Sequence, residues 1–304
     1  MPQGPRFFSA EDEGNNIAVW DIKTGHLLRT FPSTAPEGES PRKQMAWPAL
    51  KWSADDKYTA RLTVGQQISV YELPGMGLQG RKSLKIEGVF DFEWCPHGDG
   101  DREDAAKAPK KPAENMLVYW TPEVANQPAR VTLINFPART VLCQKNLFHV
   151  SEVGLYKRAI QLVHGSLFCV FFQCRLYWQN RGDFLCVRVD RHTKTKKSMF
   201  CNLEIFRVRE KDFPVEVVEL KGMVACLFLL LFSLTWRIDT VTDFSWEPKG
   251  ERFAIVSSSD PNLGSPGAGV TIKTDVSFYQ LDRSKNDFRL LRASISVVGV
   301  KPNT

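Results

Sequence analysis

The amino-acid sequence predicts an all-β protein, and two observations carry this prediction. No segment of the 304 residues keeps apolar side chains at a sustained period of 3.6 residues, the pattern of an amphipathic helix. Short runs of alternating apolar and polar residues instead follow one another, separated by turns rich in Gly, Pro, Asp and Lys. Aromatic residues make up 11% of the chain, with 8 Trp and 20 Phe, which suits β-strands.

A Trp-bearing phrase recurs along the chain. In each copy an apolar strand ends in Trp and a polar turn with Asp, Gly or Lys follows. The four copies are ALKWSADDKYTARL (49–62), FDFEWCPHGD (90–99), RLYWQNRGDFLCVRV (175–189) and FSWEPKGERFAIV (244–256). We therefore expect Trp52, Trp94, Trp178 and Trp246 at equivalent positions, near the ends of equivalent strands in radially arranged four-stranded sheets.

A second recurring pattern has the grammar of a β-hairpin. Apolar and polar residues alternate up to an aromatic, a charged or Pro/Gly turn follows, and another short strand begins. The copies are NIAVWDIKTGHLLRTF (16–31), QISVYELPGMGL (67–78), RVTLINFPARTVL (130–142), NLEIFRVREKDFPVEVVEL (202–220) and DVSFYQLDRSKNDFRLL (275–291).

The spacing of the repeats predicts a β-propeller. Trp52 and Trp94 are 42 residues apart, which is the length of one four-stranded blade, about 40–45 residues. The pair Trp20-Asp21 is the type of dipeptide that closes a WD-type blade. Four repeats follow a leading partial one at residues 7–31, so residues 1–292 are predicted to form about four to five blades of a larger WD-type propeller.

Composition indicates an intracellular protein. The formal net charge is +6, which permits a polyanionic partner without requiring one. The seven cysteines include no CxxC and no zinc-type Cys/His spacing, so reduced and mostly buried thiols are expected. The N-terminus lacks the apolar core of a signal peptide, and the expected location is the cytoplasm.

No motif calls for catalysis, a metal or a cofactor. The segment GSPGAG (264–269) lacks the Gly-Lys-Ser/Thr ending of a phosphate loop. The acidic stretch at residues 97–114 fails the spacing of a calcium-binding loop and has the composition of a solvated loop. The five His stand apart, and no GxSxG occurs. The sequence therefore predicts a protein that is not an enzyme and takes no small-molecule substrate.

The strongest basic cluster is RVDRHTKTKK (188–197), which joins two predicted strands. One interpretation is a solvated turn, because charge runs usually face water. The other is a contact with RNA phosphates. Sequence-specific base reading is not expected, since no RNP-type aromatic motif accompanies the cluster. The candidate contact residues are Arg188, Arg191, Lys194, Lys196 and Lys197.

Several long phrases resemble the b subunit of eukaryotic translation initiation factor three. They include GNNIAVWDIKTGHLLRTF, MLVYWTPEVANQPARVTL, LYWQNRGDFLCVRVDR, CNLEIFRVREKDFPVEVVELK and DFSWEPKGERFAIV. The resemblance spans most of residues 9–292. It implies a WD-type propeller that acts as a non-enzymatic scaffold and supports assembly of the preinitiation complex. The implied partners are sister subunits and the small ribosomal subunit, both its rRNA and its proteins. The alternatives are a generic WD-type interaction propeller or the related propeller of initiation factor two A.

Three segments depart from that resemblance. Residues 153–173 and 222–239 are expected to be non-native inserts, and residues 293–304 an aberrant or disordered tail. The run Gly222–Trp236 carries no charge, but it falls short of the ~20 apolar residues of a membrane span. Gly222-Met223 can be read from GGTATG, a splice-donor start, and Ile238-Asp239 from ATAGAY, which contains a TAG acceptor. We therefore expect a translated intron there, no membrane anchor, and truncated ends that reflect the same kind of gene-model error.

Overall fold

The described part of the chain is built from 19 strands. The computed structural model describes residues 7–11, 16–31, 50–63, 67–79, 88–96, 114–124, 127–148, 150, 174–192, 199–224, 240–248, 250–258, 271–282 and 287–300. These ranges contain strands and turns and no helix. The predicted all-β class is confirmed, and the consecutive antiparallel sheets fit the predicted partial β-propeller.

The strands are ordered as consecutive antiparallel sheets along the chain. The first sheet has three strands in the order β1-β2-β3, and the other four have four strands each, ordered β4-β5-β6-β7, β11-β10-β9-β8, β12-β13-β14-β15 and β16-β17-β18-β19. The predicted leading partial repeat at 7–31 is the three-stranded sheet.

The strand bounds are as follows. The first sheet contains β1 Phe7–Glu11, β2 Ile17–Asp21 and β3 Leu27–Phe31. The second contains β4 Lys51–Trp52, β5 Tyr58–Thr63, β6 Gln67–Glu72 and β7 Gly77–Leu78. The third contains β8 Asp91–Trp94, β9 Asn115–Thr121, β10 Ala129–Phe136 and β11 Val141–Leu147. The fourth contains β12 Cys174–Trp178, β13 Phe184–His192, β14 Met199–Arg207 and β15 Val215–Val224. The fifth contains β16 Thr240–Trp246, β17 Arg252–Ser258, β18 Thr271–Asp282 and β19 Asp287–Val300.

The four repeat tryptophans occupy one position in this scheme. Each is the last residue of the first strand of its four-stranded sheet, which confirms the predicted equivalence; the strands are β4, β8, β12 and β16. The turn after the Trp is also repeated. The residue that follows it donates its backbone N–H to the first residue of the next strand: Ser53 to Tyr58 at 2.9 Å, Gln179 to Phe184 at 2.9 Å and Glu247 to Arg252 at 2.8 Å.

The chain divides into two compact units, residues 1–121 with 133–141 and residues 122–132 with 142–304. In the first unit, one core cluster (Ile17, Val19, Phe31, Leu50, Tyr71 and Met76) joins the first and second sheets. A larger cluster, which includes Ala60, Ile68, Phe92, Trp94 and Phe136, joins the second sheet to the third. In the second unit, Cys186, Leu203, Phe244, Trp246 and Phe253 belong to the cluster between the fourth and fifth sheets. Alternate residues of each strand supply these clusters, as the period of two predicts.

The segments expected to be non-native lie partly outside the described residues. This applies to 153–173 and to 225–239. Strand β15 extends to Val224 and therefore includes Gly222 and Met223. The predicted boundary at residue 292 falls inside β19, which pairs with β18 as far as Val300. Residues 293–300 are therefore strand residues, and the predicted radial arrangement of the sheets stays a prediction.

Candidate nucleic-acid interface

The basic cluster lies at the end of a long hairpin. Strand β13 carries Arg188 and Arg191, and β14 pairs with it in continuous register from Phe184 opposite Arg207 to His192 opposite Met199. Lys194, Lys196 and Lys197 lie between the two strands, outside the described residues. The structure therefore places the two arginines, and says nothing of the three lysines.

Arg188 is held inside the protein. It is 8% exposed, and its Nε and Nη2 atoms each lie 3.4 Å from Oδ1 of Asp190. Burial alone would lower the pKa of Arg188, but the carboxylate of Asp190 raises it above its usual value. Burial raises the pKa of Asp190, and the charge of Arg188 opposes this shift. The pair neutralises a charge that the sequence presents as part of a basic run.

Arg191 also makes several contacts within the protein. Its Nη2 contacts the carboxylate of Glu204 on β14, and its Nη1 donates to the carbonyl of Phe148 at 2.6 Å. Glu204 is 1% exposed and accepts a second ion pair from Lys145 on β11, with Nζ and Oε2 3.1 Å apart. A buried carboxylate flanked by two cations satisfies the condition under which a buried charge is tolerated. Arg191 thus ties β13 and β14 to the region around β11.

Among the described residues, no disulfide joins the five cysteines. Cys95, Cys174, Cys186 and Cys201 are buried and Cys143 is half-buried, while Cys169 and Cys226 lie outside the described residues. Burial and the neighbouring Asp190 raise the pKa of Cys201 to about 12, and burial raises that of Cys186 well above its usual value. A thiol with a raised pKa is a poor nucleophile, because the thiolate is the reactive species.

Within the described ranges, no group of His, Cys, Asp and Glu side chains is arranged to hold a metal ion. No helix in those ranges is long and apolar enough to cross a membrane. GSPGAG and residues 97–113 of the acidic stretch lie outside them.

Sequence reasoning missed two further charged sites. Lys51 on β4 contacts Asp91 and Glu93 on β8, with Nζ–O distances of 2.8 and 2.6 Å. The guanidinium groups of Arg29 on β3 and Arg61 on β5 both contact the ring of Phe31. Each site brings together residues of two different sheets, Lys51 with β8 and Arg61 with β3, so no local sequence signal marks it.

Comparison with known proteins supports the resemblance. The chain is 57% identical over 295 residues to the B subunit of eukaryotic translation initiation factor 3 from Mycosarcoma maydis, covering 96% of this chain and 34% of that protein. The protein of the same name in Schizosaccharomyces pombe is 47% identical, with 92% of this chain and 32% of that protein covered. The protein of the same name in Aspergillus clavatus is 43% identical, with 96% of this chain and 34% of that protein covered.

Two other comparisons gave matches. A family model described as "Eukaryotic translation initiation factor eIF2A" matches residues 167–228. The β-propeller domain of Cps50 (Swd1) from Myceliophteria thermophila matches at a TM-score of 0.34 and 11% identity, over 98% of this chain and 84% of that one. The resemblance to the b subunit of initiation factor 3 is confirmed along almost the whole of this chain, which spans about a third of the length of those relatives.

Proposed function

We propose that this chain, a propeller segment similar to the b subunit of eukaryotic translation initiation factor 3, is a non-enzymatic scaffold in translation initiation. The observation that carries the proposal is the 57% identity to a protein of that name across 96% of the chain. Stacked β-sheets with buried interfaces suit such a role, because propellers present broad rigid surfaces to several partners. The proposed partners are sister subunits and the small ribosomal subunit, and the proposed location is the cytoplasm.

The proposed contact with rRNA is the basic cluster of Arg188, Arg191, Lys194, Lys196 and Lys197. The ion pair between Arg191 and Glu204 joins β13 to β14, and Arg188 pairs with Asp190 within β13. The three lysines follow in the sequence between β13 and β14, and segments that connect strands usually run over the protein surface. In this arrangement the arginines set the hairpin's geometry and the lysines supply phosphate contacts that carry no sequence preference.

The experiment is co-sedimentation of the full-length tagged protein with small ribosomal subunits across a salt series. Replacing Lys194, Lys196 and Lys197 together by Glu should weaken binding severalfold and flatten its salt dependence, because each phosphate contact contributes about 0.7–0.9 to the logarithmic slope. A matched variant replaces the exposed Lys23 and Lys211 by Glu and should bind as the unaltered protein does. Equal binding by both variants would leave the loop as a solvated turn.

The family-model match favours a second candidate, the propeller of initiation factor 2A. Co-purification separates the two functions. A component of a multi-protein factor should elute with several initiation-factor subunits at constant stoichiometry after a high-salt wash. A single-chain factor should elute alone.

A further inference from the structure

Arg61 occupies a position that is apolar in the other sheets. It lies on β5 two residues beyond Thr59, the residue paired with Trp52. In the other three sheets, the residue two positions beyond the strand partner of the repeat Trp is apolar or aromatic. These residues are Tyr119 for Trp94, Val187 for Trp178 and Ile255 for Trp246. These three side chains are 8%, 0% and 3% exposed. The repeat therefore predicts a buried apolar residue where the second sheet carries an arginine.

Two arginines cover a buried aromatic pair at this position. The rings of Phe31 and Tyr71 are 5% and 6% exposed, and their centroids lie 5.0 Å apart. The guanidinium carbon of Arg61 lies 4.6 Å from the Phe31 centroid. That of Arg29 lies 5.1 Å from Phe31 and 4.9 Å from Tyr71. Both guanidinium groups are therefore within the distance of a cation–π interaction with these rings.

The contacts of the two cations are with aromatic rings and with a backbone carbonyl. Among the described residues, no ion pair joins Arg29 or Arg61 to a carboxylate, and Nε and Nη1 of Arg61 are buried without a hydrogen-bond partner. Arg29 donates one bond, from Nη1 to the carbonyl of Met76 at 2.5 Å. Burial lowers the pKa of Arg61. Tyr71 opposes this shift, and the charge of Arg29 adds a smaller lowering effect.

This arrangement destabilises the fold. Buried donors without a partner and adjacent like charges each cost free energy, and an apolar residue at position 61 would avoid both costs. A residue that weakens packing at a position where its counterparts strengthen it is expected to serve binding. Its chemistry selects the ligand, because two guanidinium groups without a counter-ion fit an oxyanion.

We propose that Arg29 and Arg61 bind a phosphodiester group of RNA, as a contact separate from the basic hairpin. Arginine matches phosphate with a planar fork of donors. Arg29 is also exposed, so the face of its guanidinium that points away from the rings can stack on an unpaired base. A carboxylate of an acidic peptide would use the charge but not this open face, which favours RNA. The proposal rests on the proposed function to the extent that the latter supplies an RNA partner.

The test is a fluorescence titration of the full-length protein with a short poly(U) RNA, with poly(Glu) peptide as the competing probe. Arg61→Met and Arg29→Gln should each weaken RNA binding about threefold to tenfold and lower the salt slope by about one. Lys23→Gln, an exposed control, should leave both quantities unchanged. Arg61→Met should also unfold at a higher denaturant concentration than the unaltered protein, and Arg61→Lys should recover part of the affinity.

Two outcomes would overturn the proposal. Unchanged RNA affinity in both arginine variants would leave Arg61 as a tolerated buried charge. Binding of poly(Glu) that excludes RNA would make the site a receptor for acidic protein segments. The sedimentation experiment tests the proposed function independently. If the unaltered protein did not bind small ribosomal subunits, that function would be rejected. The poly(U) titration would still test the arginine pair.

Discussion

The indole of Trp94 donates a hydrogen bond from Nε1 to the backbone carbonyl of Lys51 at 3.0 Å. Trp246 repeats this contact in the second unit, where its Nε1 donates to the carbonyl of Tyr177 at 3.0 Å. Lys51 and Tyr177 each directly precede the repeat Trp of the sheet before. Trp94 and Trp246 therefore each join consecutive sheets, because the ring packs in the core and the N–H satisfies a carbonyl of the neighbouring first strand. Among the described residues, Nε1 of Trp178 is buried without such a partner.

Trp94→Phe removes this donor and keeps most of the apolar ring. We expect a loss of about 1 kcal/mol in the free energy of unfolding, since a carbonyl is left without its partner. Trp246→Phe is the matched change in the other unit and should cost a similar amount. Denaturant unfolding monitored by circular dichroism measures both. Loss at one site and none at the other would show that the two joints are not equivalent.

Lys51→Met should destabilise the protein more at neutral than at acidic pH. Lys51 is the counter-ion of Asp91 and Glu93, and it also donates to the carbonyl of Phe92 at 2.7 Å. Burial raises the pKa of Glu93, and Lys51 opposes that shift. A raised carboxyl pKa gives stability that is present at low pH and is lost as pH rises through it. Without Lys51 the pKa of Glu93 rises further. The variant therefore loses most stability at neutral pH, where Glu93 must be ionised without its counter-ion.

The expected loss for Lys51→Met is about 1–2 kcal/mol near pH 7, reduced from the value for a fully buried pair because both acids are partly exposed. It should shrink near pH 3, roughly one unit below the ordinary Glu pKa of about 4.3, where most Glu93 side chains are protonated in folded and unfolded chains alike. Unfolding curves at both pH values check this. Asp91→Asn/Glu93→Gln in the Lys51→Met background should recover stability at neutral pH, and an equal loss at both pH values would contradict the electrostatic account.

Removing the charge of Arg191 should lower the free energy of unfolding more than removing the charge of Lys196. Arg191→Met leaves the buried carboxylate of Glu204 with Lys145 alone, so we expect about 1–3 kcal/mol of destabilisation. Lys196→Met should change the free energy of unfolding by less than about 0.5 kcal/mol, because the charge run around it predicts a solvated turn. Thermal unfolding compares the pair. Equal effects would mean that the two residues have equivalent surroundings.

The transcript should lack the codons of residues 222–239. We expect the mature chain to run from Lys221 into strand β16 near Thr240, because the uncharged run Gly222–Trp236 matches no repeat and, if translated, would present a large apolar surface. Sequencing of reverse-transcribed message across residues 215–250 checks this directly. A dominant message that retains these codons would reject the intron hypothesis, and membrane fractionation of the protein would then be the next measurement.

Much of the fold could be predicted because its signals are local. Trp52, Trp94, Trp178 and Trp246 each end a strand and begin a turn within a few residues, so one phrase fixes both elements. The charged sites could not be predicted, because they join strands that are distant along the chain. Arg188 illustrates the limit: its sequence neighbours make it look solvated, yet alternation along β13 turns it into the interior beside Asp190.

The arginine pair also affects local opening of the contact between the first and second sheets. Among the described residues, the cluster between the first and second sheets holds six buried side chains, whereas the cluster between the second and third holds eleven. The smaller cluster also carries an uncompensated guanidinium at its margin. Nearest-neighbour contacts set the stability of stacked sheets, so the contact between the first and second sheets should open more readily than the contact between the second and third. Amide protons of β2 would then exchange with solvent through a low-energy opening. An RNA phosphate bound by Arg29 and Arg61 would slow that exchange, so RNA binding and the protection of β2 amides would be thermodynamically linked.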